Sequence, residues 1–421
     1  MYSKILKGLL LGLCIAAVAM ISWAPNSLAG EGNLDQQVQE LIEQNQALTD
    51  RLMQVEHQLS GMKAAPETEH AGAKSVLGHI EDTIHIHGLL EFGAAYHSTD
   101  MNHGGYRQDS DLSMTSVEIG IGAQVNDWVS AETILMYEDP SGAIDLYDGI
   151  REETNFDVEE AIITIANKEV TPAFLKAGKM YVPFGAYLTH FPDDMGIDSP
   201  LTLLMGETNE KALLIGAEYA GMTFSGYVFN GDVEEMGGGD NVIESYGFDA
   251  NYAYECEDND MDLLVGASYI SNLTDSDWIE ESLHHHNLEI EDYGDGAAAY
   301  FHIGCQGIFF DAEYMTLLDS VEVYAGGLHE GKVNNAEVWN FEMGYNYNWW
   351  RNLEIALQYA GSNDCYHLGF PRDRYGINFN QEVFDNTILS VGYLYDEYDD
   401  DGTDEERNQR DLVFGQLAVR F

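Results

Sequence analysis

Carboxylates are the side chains with the most chemistry to offer in this 421-residue chain. Asp and Glu number 73 against 18 Lys and Arg, a formal net charge of −55. That balance makes nucleic acid a poor partner for the surface as a whole. Many of these acids stand at alternate positions beside apolar residues, among them Glu91, Glu118, Glu132, Glu218, Asp249, Asp311, Glu313, Glu342 and Glu354. Acids gathered on one face of a wall attract cations and repel anions. Few bases oppose them there: one of Lys176 and Lys179, then Arg374 and Arg420. A second acidic group, Asp193, Asp194, Asp198 and Glu207, sits in a long apolar connection. His284, His285 and His286 lie between Glu280-Glu281 and Glu289-Glu291-Asp292. His with carboxylate suits a metal, but the spacing fixes no coordination geometry, and a solvated polar loop explains it equally. No nucleophile–base pairing, phosphate loop or zinc spacing is visible, so no enzymatic activity and no cofactor are expected.

The elements that position these acids follow from periodicity. From Thr83 onward the period is two. Trp339, Phe341, Met343, Tyr345 and Tyr347 alternate with Asn340, Glu342, Gly344 and Asn346, and similar runs recur to Phe421. Sixteen such segments can be drawn, near 83–98, 111–124, 128–138, 156–167, 173–181, 211–219, 222–230, 244–255, 260–270, 296–304, 307–317, 337–347, 350–360, 373–381, 386–396 and 411–421. Long and tight connections alternate between them. Segments of about ten residues, even in number, with short turns at one end and long loops at the other, predict a transmembrane antiparallel β-barrel over 83–421. Fourteen or eighteen strands also fit, because three of the segments alternate poorly. Pro140, Pro172, Pro183, Pro192, Pro200 and Pro371 all fall in connections, as they must if the segments are paired strands. With the apolar face toward lipid, the acids above face a lumen.

The connection 182–210 is the longest and carries Phe184, Tyr187, Leu188, Phe191, Leu201, Leu203 and Leu204. So apolar a segment does not stay in water. It is expected either to fold into the lumen as a pore constriction or to pack over a neighbouring subunit.

Upstream, Lys4 and Lys7 precede an apolar run that ends in Ser27-Leu28-Ala29, a secretory signal peptide over 1–29. Residues 30–63 form a coiled-coil helix. Leu34, Leu41, Leu48, Val55 and Met62 hold one seam, and Val38, Asn45, Leu52 and Leu59 the other. Residues 64–82 are a linker. The coiled coil implies self-association, with a homotrimer expected. The cysteines beyond the signal peptide, Cys256, Cys305 and Cys365, are odd in number, so at least one is unpaired within the chain. Cys256 and Cys305 both fall near short turns, where they could meet.

The stretch Gly178-Lys179-Met180-Tyr181-Val182-Pro183-Phe184-Gly185, followed by Asp198-Ser199-Pro200-Leu201-Thr202 and Gly206-Glu207-Thr208, resembles the LbtU-type siderophore porin family. Signal peptide, coiled coil, about sixteen strands and the closing Phe421 agree with it over nearly the whole chain. The resemblance implies bacterial outer-membrane uptake of a ferric siderophore by a TonB-independent route, with the coiled coil in the periplasm. The partners it implies are outer-membrane lipid, lipopolysaccharide and a small solute. A general cation-selective diffusion porin is the alternative, and a tether from the outer membrane to the cell wall a third.

Overall fold

Alternating apolar and polar residues leave a strand with one oily and one wet face, and such strands bury neither face alone. In the computed structural model they pair into a closed, wholly antiparallel barrel of sixteen strands. The structure describes residues 83–101, 105–138, 155–192, 199–233, 235–236, 243–256, 260–285, 287–325, 328–333, 335–347, 351–365, 368–399 and 407–421. The expected signal peptide, coiled coil and linker lie outside them.

In chain order the strands are β1 (Ile84–Met101), β2 (Gly105–Gln124), β3 (Val129–Glu138), β4 (Asn155–Ala166), β5 (Ala173–Tyr181), β6 (Asn209–Tyr219), β7 (Met222–Asn230), β8 (Ser245–Cys256), β9 (Met261–Ile270), β10 (Leu288–Ile290), β11 (Gly296–Cys305), β12 (Ile308–Leu317), β13 (Val321–Ala325), β14 (Leu328–Val333), β15 (Glu337–Tyr347), β16 (Leu353–Asn363), β17 (Asp373–Phe384), β18 (Thr387–Glu397) and β19 (Arg407–Arg420). All but β10, β13 and β14 build the barrel, which β1 closes by pairing with both β2 and β19. Tight turns join strands at one end. In Ala220-Gly221 and Gln306-Gly307 both residues have positive φ, the twist that suits a two-residue hairpin.

Large apolar residues alternate onto the outer face. Leu90, Phe92, Phe248, Phe341, Met343, Leu357 and Val413 are all exposed, while their chain neighbours Glu91, Asp249, Glu342, Gln358 and Leu412 are buried. Among the described residues no helix is long and apolar enough to cross a membrane.

The long connections are less loop-like than the sequence suggests. The expected connection 99–110 is mostly strand: β1 runs to Met101 and β2 starts at Gly105. Residues 105–111 are polar on both faces, so period two carries no hydropathy signal there, yet they pair with β1 residue by residue. The connection 182–210 contains helix α1 (Leu201–Gly206). The connection 271–295 contains a 3₁₀ turn (Leu273–Asp275), helix α2 (Asp277–His285) and β10. β10 joins β13 and β14 from the connection 318–336 in a separate three-stranded sheet. The larger apolar core lies among these loops, where Phe184, Leu201, Leu204 and Met205 pack with Trp278, Leu283, Ile290, Val321, Val323 and Phe370.

Cys256 and Cys305 each pair with Met261, from opposite sides. Two strand spacings part them by about 9–10 Å, beyond the roughly 7 Å that a disulfide spans. Among the described residues no disulfide joins Cys256, Cys305 or Cys365.

Candidate functional site

The segment between β5 and β6 runs along the inner face of the barrel. Its course is fixed by wall side chains on strands far from its own roots. The amides of Ala186 and Tyr187 donate to Glu313 Oε1 (2.6 and 3.2 Å), and Thr202 Oγ1 donates to Glu313 Oε2 (2.7 Å). The His190 amide donates to Glu342 Oε2 (2.7 Å) and Thr189 Oγ1 to Glu342 Oε1 (2.8 Å). The wall amides Asn378 and Asn380 donate to the His190 carbonyl (2.7 and 2.8 Å), and Asn340 donates to that of Leu188 (3.2 Å). Gln358 Nε2 donates to Ser199 Oγ (2.8 Å). The Gly185 amide donates to Ser268 Oγ (3.1 Å), which itself donates to Asp249 Oδ1 (2.8 Å). Phe191 inserts beside Phe309, Leu394 and Phe414.

A buried carboxylate is costly unless hydrogen-bonded; here the loop supplies donors to Glu313 and Glu342, and the wall supplies those of Asp249. Asp249, Asp311, Glu313 and Glu342 are at most 5% exposed. Asp249 also accepts from Tyr300 and Asn251, both at 2.8 Å. The His190 imidazole lies between Asp311 Oδ2 (3.1 Å) and Glu354 Oε1 (3.0 Å). Burial alone would lower its pKa; the hydrogen bonds to Asp311 and Glu354 outweigh that and carry it up to about 10. The imidazole is therefore a cation at neutral pH. Sequence reasoning missed His190, a lone His in a loop with no spacing signal.

The acids on β2–β4 stand in more open surroundings. Glu132 is 45% exposed and meets His87 Nε2 at 3.3 Å. Glu118 accepts from Ser116 Oγ (3.3 Å), and Glu160, unremarked in the sequence, lies within electrostatic reach of Glu132, Lys176 and Glu118. His85 and His87 stack at 6.2 Å over Gly122 and Gly120, positions where a Cβ would collide with their rings. Glu91 is buried and accepts from Gln416 (3.2 Å). Glu218, near a tight turn, pairs with the exposed Lys168 at 2.5 Å. Lys179, the other Lys considered for the inner face, instead meets Asp157 (3.2 Å) and the Val158 carbonyl (2.9 Å).

Arg374 holds Asp396 by a two-point fork (2.8 and 3.2 Å), and Arg410 grips the same carboxylate (2.9 and 2.5 Å), with all three side chains buried. Forked guanidinium contacts fix geometry as well as charge. Arg410 escaped the sequence reading because β19 begins at Arg407 rather than at 411.

Asp193, Asp194 and Asp198 lie outside the described residues. Glu207 is described and caps α1, its amide donating to the Leu203 carbonyl at 2.8 Å. His284 is exposed on α2, 3.9 Å from Glu280. The side chain of His285 and all of His286 lie outside the described residues. Among the described residues no group of three or more His, Cys, Asp or Glu converges on a metal position.

No family model matches the chain. It is 26% identical over 317 residues to a UPF0422 protein of Coxiella burnetii (strain RSA 493 / Nine Mile phase I), covering 73% of this chain and 63% of that relative. It is 23% identical over 311 residues to UPF0422 protein lpl2888 of Legionella pneumophila (strain Lens), covering 68% and 54%. The chain thus spans a little over half the length of these curated relatives. Among solved structures it resembles Pseudomonas putida OprB at high pH (TM-score 0.53, 10% identity, 82% of this chain and 96% of that one). It also resembles an anion-selective porin from Comamonas acidovorans (TM-score 0.51, 10% identity, 80% and 99%). The sixteen-stranded closed barrel is the fold of outer-membrane porins.

Proposed function

We propose that this chain is an outer-membrane porin that admits small solutes through the space its inner loop leaves open. The observation that carries this reading is the loop itself, fastened to the inner face by Glu313, Glu342 and His190 so that it narrows a barrel with an apolar outer belt. A wall with half-buried Glu118, Glu132 and Glu160 on one arc favours cations or neutral chelates. Within this reading the lumen-facing acids set selectivity, and Asp193, Asp194, Asp198 and Glu207 contribute to the constriction. The assembly is a homotrimer, with the coiled coil on the periplasmic side.

Ferric siderophore is the specific cargo proposed, supported by the resemblance of residues 178–185 and 198–208 to siderophore porins. A general cation-selective porin fits the same geometry. Single-channel recording of the purified chain tests the channel: cation-preferring conductance supports it, and a silent bilayer overturns it. Iron-limited growth of a deletion strain with added siderophores tests the cargo. Unaltered iron uptake would leave the general porin as the reading.

A further inference from the structure

Around His190 the wall has the make-up of a ligand site. The imidazole stacks on Phe309 with centroids 3.7 Å apart and planes 15° apart. Its two ring nitrogens meet carboxylates from different strands, Asp311 on β12 and Glu354 on β16. Glu342 on β15 takes the backbone amide, while Asn378 and Asn380 hold the carbonyl. His302 shares Asp311 from the other side (2.5 Å).

We propose that this recess is a binding site for a planar organic cation, such as a guanidinium, amidinium or imidazolium group, and that His190 occupies it as the loop's built-in ligand. The aromatic floor takes a flat face. Carboxylates meeting both ring nitrogens accept in-plane N–H donors. A guanidinium offers both features and stacks on aromatic rings. A round ion such as tetramethylammonium has neither a flat face nor a donor. Asp311, Glu342 and Glu354 stay on the wall once the ring is gone, so the recess keeps acceptors for a cation's N–H groups. The backbone of residue 190 is held independently by Glu342, Asn378 and Asn380, so truncating the ring leaves walls and loop anchors in place. The inference rests on the channel reading for its consequence in transport, in that a cationic solute competing with His190 would loosen the loop.

Calorimetry on the purified full chain tests it without requiring conductance. His190→Ala is expected to bind guanidinium and not tetramethylammonium. The wild type, its recess filled, should bind guanidinium about tenfold more weakly or less. Adding Phe309→Leu or Glu354→Gln to His190→Ala should abolish the binding. Equal heats for the two cations, or no guanidinium binding by a folded His190→Ala protein, overturns the proposal. A second pair of variants covers a failure of His190→Ala to fold. His190→Arg, which restores a planar cation, should melt close to wild type and His190→Leu well below it; the reverse order also overturns the proposal. A silent bilayer with positive calorimetry would reject the channel and keep the site.

Discussion

Two arcs of the same inner wall carry the same chemical group under different conditions. Along β8, β12, β15 and β16, Asp249, Asp311, Glu313, Glu342 and Glu354 are buried or nearly so and hold the loop or the residues beside it. On β2–β4, Glu118, Glu132 and Glu160 stand in more open surroundings with few bonds between them. A carboxylate surrounded by N–H and O–H donors is a fastener, with its charge spent locally. The same group beside water projects its field into the passage. If the chain is the proposed channel, counting acids on the wall therefore overstates what a permeating ion would feel, because one arc is buried beneath the loop it holds.

The contrast breaks most severely at Glu342. Glu342→Leu removes the acceptor for the His190 amide and the Thr189 hydroxyl, at about 1–3 kcal/mol for each buried group left unpaired. Chemical denaturation should show a lower unfolding midpoint, and recordings should show a larger, noisier conductance. Combined Glu118→Gln, Glu132→Gln and Glu160→Gln should instead leave the melting temperature unchanged. At about 1 kcal/mol for a charge some 4 Å from an ion in water, the cation-to-anion permeability ratio should fall by roughly fivefold or more. If selectivity holds and stability falls, the two arcs have been assigned the wrong way round.

Acidity in the outer loops sharpens the same distinction. Burial, aided by neighbouring carboxylates, pushes Asp275 up to about 8, and Asp277 and Glu280 up to about 7. A raised acid favours the folded loop below its ordinary pKa and loses that advantage as pH rises through the folded value. Amide protection factors across 273–285, corrected for intrinsic base-catalysed exchange, should therefore fall between about pH 4 and 8, and Asp275→Asn should flatten the profile. The smallest effect is expected at the exposed Lys168–Glu218 pair, where Glu218→Gln should cost about 0–1 kcal/mol in a melt.

The barrel was legible because its two faces impose opposite preferences on alternate residues; fourteen of the sixteen barrel strands start within three residues of the segments drawn from hydropathy. Legibility failed where both faces are wet, as at residues 105–111, or where a loop supplies its own strands, as at β10, β13 and β14. That acids alternate with apolar residues was readable from the two-residue period alone. Their partners were not: His190, Thr189 and the Ala186 amide meet Asp311, Glu342 and Glu313 across more than a hundred residues of sequence, and no local pattern records such a meeting.

The seam has a consequence for the order of folding. Phe421 and Gly88 exchange both backbone hydrogen bonds (3.0 and 2.9 Å), and the Phe421 ring lies where a Cβ on residue 88 would be. Nearly every other wall contact joins strands adjacent along the chain, but β1 meets β19 across more than three hundred residues. Neighbouring hairpins can form early, since short loops close at little entropic cost. The seam must wait for all of them, and a side chain at residue 88 would act on that last step. Gly88→Val is thus a kinetic probe: hairpins should accumulate normally while closure slows, trapping an open sheet with two unpaired edges.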